Sequence, residues 1–92
     1  MAKVASSLEA MDRMIFNLKN TIIAQNEVAS RLKNDYNSVG SEWDDEKYEE
    51  LGRTIDEAIV ALKSAEPYLL DTITRMQLLK SMLNDYLNQR IS

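Results

Sequence analysis

Apolar residues recur along the first forty positions in alternating steps of four and three. From Val4 the series runs Leu8, Met11, Ile15, Leu18, Ile22, Gln25, Ala29, Leu32, Tyr36 and Val39, and only Gln25 is polar. A seven-residue repeat of this kind gathers its side chains into one stripe of an α-helix. Ser6 with Glu9 three residues on is a capping-box pair that predicts the helix start. Asn34, Asn37, Ser38 and Gly40 favour its end. The expected first helix is 6–37, followed by a turn over 38–43.

The second half repeats the rule from Tyr48 through Leu51, Ile55, Ala58, Leu62, Ala65, Leu69, Thr72, Met76, Leu79, Leu83, Tyr86 and Arg90. Ser41 with Asp44 is a second capping pair. Glu42, Asp44, Asp45 and Glu46 crowd the start of this segment, where the helix dipole favours negative charge. Pro67 falls at the outermost heptad position, and the register passes it without a slip. A proline inside a helix removes a backbone hydrogen bond and kinks the chain. The expectation is one long helix over 44–90, kinked near Ser64–Pro67, in preference to two separate helices. A short turn between long helices makes them antiparallel neighbours. The fold class expected is therefore all-α: an antiparallel two-helix hairpin forming one domain over 1–92.

The seam inside this hairpin is expected to hold Leu8, Met11, Ile15, Leu18, Ile22 and Leu32 from the first helix. Leu51, Ile55, Leu62, Leu69, Met76 and Leu83 face them from the second. Apolar residues exceed that seam. Met14, Phe16, Ile23 and Val28 flank the first stripe, and Ile59, Ile73 and Leu87 recur every fourteen residues beside the second, with Leu70, Leu78 and Ile91 nearby. A two-helix seam needs two apolar positions per heptad, whereas a bundle helix shows about three. Met14, Phe16, Ile23, Val28, Ile59, Leu70, Ile73 and Leu87 are accordingly expected to form a partner face, which completes a four-helix bundle on oligomerisation. The alternative is that the segment after Pro67 folds back and covers the surplus. The hairpin turn brings together Gly40, Trp43, Asp44 and Asp45. Trp43, the chain's one tryptophan, either plugs the open end of the helix pair or serves as a recognition aromatic, a role in which Trp is enriched.

Composition narrows the function classes. Two glycines and one proline leave too little punctuation for an all-β fold. Without cysteine there is no disulfide framework and no thiolate metal site. Without histidine the commonest general base and metal ligand is missing, and no glycine-rich phosphate loop is present. No enzyme, cofactor or metal is expected. The six acids between Glu42 and Glu50 suit a solvated helix start better than a cation loop, because the EF-hand spacing and its turn glycine are missing. A net charge of −4 disfavours nucleic acid as a partner. The longest apolar run, Ala58–Leu62, is far short of the roughly 20 residues that span a bilayer. The first six residues lack the apolar core of a cleaved signal peptide. The protein is expected to be cytoplasmic at synthesis, with any export using another route.

Two long helices, a turn carrying Trp and Gly, and the run Trp43-Asp44-Asp45-Glu46-Lys47-Tyr48-Glu49-Glu50-Leu51 resemble the Trp-X-Gly (early secreted antigen-like) superfamily of bacterial type VII secretion. The likeness is closest to small helical proteins of Gram-positive bacteria that pair with the helical N-terminal domain of LXG-domain toxins. Two features depart from that pattern. Trp43 is followed by Asp44-Asp45, and Gly40 precedes it. The export motif Tyr-x-x-x-Asp/Glu is not met, because Tyr36, Tyr48, Tyr68 and Tyr86 are followed four residues on by Gly40, Gly52, Thr72 and Arg90. The resemblance implies a type VII secretion accessory or substrate that binds a toxin's helical domain or a second small helical protein. The other readings are a homodimeric structural helical protein, such as a phage or filament component, and a small immunity or antitoxin protein.

Overall fold

In a computed structural model, residues 2–40 and 46–91 are described, and side chains over 6–40 and 46–89. Trp43, Asp44, Asp45 and the Ser41/Asp44 capping pair lie outside the described residues. All regular structure among those described is helical. α1 spans Ala2–Val39, α2 Glu46–Lys63 and α3 Glu66–Ile91. Helix α1 overruns its expected limits at both ends, so Ser6 sits a full turn inside it and does not cap it. The Gly40 N–H closes its last turn by donating to the Asn37 carbonyl at 3.3 Å.

The disturbance expected at Pro67 goes further than a kink. Helical geometry lapses at Ser64 and Ala65 and resumes at Glu66. Pro67 has no N–H to offer the Lys63 carbonyl, and its fixed φ suits the first turn of a new helix. The Ser64 hydroxyl donates to the Ala61 carbonyl at 2.8 Å as α2 ends.

The chain forms two compact units. The first combines residues 1–21, the front of α1, with residues 67–92. The second is residues 22–66, the back of α1 with α2. In the second unit Asn26 meets Glu66, Lys33 meets Asp56 and Tyr36 meets Tyr48, so α1 and α2 run antiparallel as a helical hairpin.

Burial corrects the register of the second stripe. With α1 lettered so that Leu8, Ile15, Ile22, Ala29 and Tyr36 take heptad position a, Met11, Leu18, Gln25 and Leu32 take d. All of these are buried or half-buried. In α2 and α3, Tyr48, Ile55, Leu62, Leu69, Met76 and Leu83 form the d row as expected. Their a row, however, is Gly52, Ile59, Glu66, Ile73, Lys80 and Leu87, all buried or half-buried. Ile59, Ile73 and Leu87 therefore belong to the seam and not to a partner face. Ile73 is only 5% exposed, one of three buried residues beside Ile15 and Ala29. Leu51, placed in the seam by the sequence, is half-buried at position g, as are Ala65 and Thr72, whereas Ala58, Leu79 and Tyr86 of the same row are exposed. Leu79 is 56% exposed. Ile73 fills more space than Thr72, and Ile59 more than Ala58. Turning the larger residue of each pair inward removes more apolar area from water.

Candidate interaction surfaces

The closed end of the second unit is clamped by a reciprocal tyrosine pair. Tyr36 and Tyr48 stack with ring centroids 4.4 Å apart and planes 5° from parallel. The Tyr36 hydroxyl donates to the Tyr48 carbonyl at 3.2 Å, and the Tyr48 hydroxyl to the Tyr36 carbonyl at 3.3 Å. Each ring is received by a glycine four residues beyond the other tyrosine. A Cβ on Gly52 would lie 2.9 Å from Tyr36 Cζ, and one on Gly40 would lie 2.9 Å from Tyr48 Cζ. Both glycines of the chain are thereby committed to sockets. Desolvation, hydrogen bonding with Tyr48 and the nearby Asp56 and Glu49 push the Tyr36 pKa above its ordinary value.

The polar members of the a row reach toward α1 residues at position e. Lys80 pairs with Asp12 in the first unit. The Asn26 amide donates to Glu66 at 3.2 Å in the second, where Lys33 also meets Asp56 at 3.5 Å. Around a helix, e adjoins a and g adjoins d, and in an antiparallel pair the two a/e edges share one side. That side is wet. In the first unit it opens into a groove lined by Asp12, Ile15, Lys19, Gln77, Lys80, Ser81 and Asn84.

The opposite side of each unit is dry. All three buried residues occupy position a, whereas the described d residues are half-buried apart from Val39, which is exposed at the end of α1. The g and c positions beyond d mix apolar residues with polar ones such as Asn17, Thr21, Thr54 and Gln89. In the first unit they include Met14, Tyr68, Leu79, Met82 and Tyr86, with Met14 52% and Met82 58% exposed. In the second they include Ala24, Val28, Leu51, Ala58, Ala61 and Ala65. Four charges, Arg31, Asp35, Lys47 and Arg75, fall on the described g and c positions. Of these, Arg31 pairs with Glu27 at 3.9 Å and Arg75 with Asp71 at 2.9 Å, while Asp35 stands at the turn end of α1.

Of the residues expected on a partner face, Met14 and Val28 lie on this dry side. Phe16 and Ile23, at position b, and Leu70, at e, are exposed on the wet side. Sequence reasoning missed Leu79, Met82 and Tyr86 as outward residues. The signal was present: from Tyr68 the series Thr72, Arg75, Leu79, Met82 and Tyr86 keeps heptad spacing one residue ahead of the seam. No helix is long and apolar enough to cross a membrane among the described residues, and no group of three or more potential metal donors is found among them. Comparison with known proteins returns no matching family model, no matching curated protein and no matching solved structure.

Proposed function

We propose that this protein is a non-enzymatic helical interaction module whose d/g side docks on other helices to complete a four-helix bundle. The observation that carries the reading is the half-buried d row flanked by exposed apolar g residues, Met14, Val28, Leu79 and Tyr86. Met14, Leu79 and Met82 extend the apolar surface of the first unit well past the width that two helices bury. Contiguous exposed apolar surface of this kind marks interaction sites in stable proteins. The resemblance of residues 43–51 to small type VII secretion proteins gives the setting: an accessory or substrate that binds the helical domain of an LXG-type toxin or a second small helical protein. The test is co-expression with a toxin N-terminal helical domain. A complex that survives purification at micromolar concentration, and is lost with Leu79→Asp while helicity is kept, supports the reading. No complex with such domains counts against the secretion setting.

A further inference from the structure

Sulfur is confined to one unit of this chain. All five methionines fall within residues 1–21 and 67–92, none falls within residues 22–66, and there is no cysteine. Met1 lies outside the described residues. The other four share the dry side of the first unit: Met11 and Met76 at position d, Met14 at g and Met82 at c. None stands on the wet side, which instead carries Phe16 and Leu70. Exposure then divides the four. Met14 and Met82 are each more than half exposed, whereas Met11 and Met76 are half-buried in the seam.

We propose that Met14 and Met82 form a reversible oxidation site, at which a peroxide switches off the docking surface of the first unit. This rests on the reading of the d/g side as a helix-docking surface and adds its control. The thioether sulfur attacks one peroxide oxygen. The O–O bond breaks, an S–O bond forms, and water leaves; sulfur is oxidised by two electrons and the peroxide is reduced. The product is a polar, chiral sulfoxide in place of a flexible apolar side chain. In the undocked chain both sulfoxides stay in water, so the helix pair keeps its fold. In a docked complex each would be buried among apolar groups without a hydrogen-bond donor, which is costly. Methionine sulfoxide reductases reverse the change: two thiols are oxidised to a disulfide, and the oxygen leaves as water.

Brief treatment of the purified chain with hydrogen peroxide, read by peptide mass mapping, tests the site. Met14 and Met82 should gain oxygen at least about fivefold faster than Met11 and Met76, because susceptibility follows exposure. The helical circular dichroism spectrum should be kept. Affinity for a toxin N-terminal helical domain should fall at least about tenfold, the scale of burying an unpaired polar group, and the reductases with a dithiol should restore it. In the double variant Met14→Leu, Met82→Leu, the loss caused by peroxide should disappear when taken against that variant's own untreated affinity. Faster oxidation at Met11 or Met76, binding that survives full conversion of Met14 and Met82, or an undiminished loss in the double variant overturns the proposal and leaves the docking surface standing. An untreated chain that neither binds such a domain nor self-associates by light scattering removes the docking surface, and the switch with it.

Discussion

Tyr36, Tyr48, Gly40 and Gly52 show how few residues set the closed end of the second unit. Replacing glycine by alanine inside a helix ordinarily gains up to about 1 kcal/mol. At Gly52 the sign should invert, because the new Cβ meets a ring already held by stacking and a hydrogen bond. Thermal melts of Gly52→Ala should show a lower midpoint, and the same change in a Tyr36→Ala background should raise it. A stabilising Gly52→Ala in the parent would mean the socket is loose. The raised pKa of Tyr36 means that folding favours the protonated phenol. That contribution is complete below the ordinary tyrosine pKa of about 10 and is lost as pH rises through the higher folded value. Stability should therefore fall above about pH 10, and Tyr36→Phe should remove part of that fall. An unchanged pH dependence in Tyr36→Phe would contradict it.

Among the elements, the junction of α2 and α3 is the most open to test. Pro67→Ala restores a donor for the Lys63 carbonyl and removes the ring that disfavours helical geometry before it. Helicity by circular dichroism should rise slightly with no loss of melting temperature; a clear drop would mean that the break at Ser64–Ala65 is required. The helices themselves were legible from the heptads, and α1's seam was read in its observed register. The stripe of α2 and α3 was not, for a physical reason. Its d row is shared by two heptad stripes, one completed by position a and the other by g. The g choice offers Leu51, Ala58, Ala65, Thr72, Leu79 and Tyr86 without a charge, whereas the a choice includes Gly52, Glu66 and Lys80. Hydropathy alone favours g. The fold takes a because Gly52 receives Tyr36, Glu66 accepts from Asn26 and Lys80 pairs with Asp12. Those compensations depend on α1 across the seam and are invisible in the local sequence. The turn expected around Trp43 lies outside the described residues.

For the whole molecule, each unit is a helix pair with one wet side and one dry side. The wet side satisfies the polar seam residues, and exposed apolar residues stand on both sides, Met14, Leu79 and Met82 on the dry one and Phe16, Ile23 and Leu70 on the wet one. If a second copy covers the dry side, the melting temperature must rise with protein concentration, because association stabilises the folded form by mass action. A concentration-independent midpoint together with a monomeric mass would leave the surplus to a different partner. Along α3 Ile73 at position a faces inward and Leu79 at position g faces outward. Circular dichroism melts of Ile73→Asp beside Leu79→Asp test this division. Burying an unpaired carboxylate at the 5% exposed site should abolish cooperative unfolding. The change at the 56% exposed site should keep the helical spectrum and a cooperative melt. Equal loss of helicity in the two variants, or a folded Ile73→Asp beside an unfolded Leu79→Asp, would contradict the account.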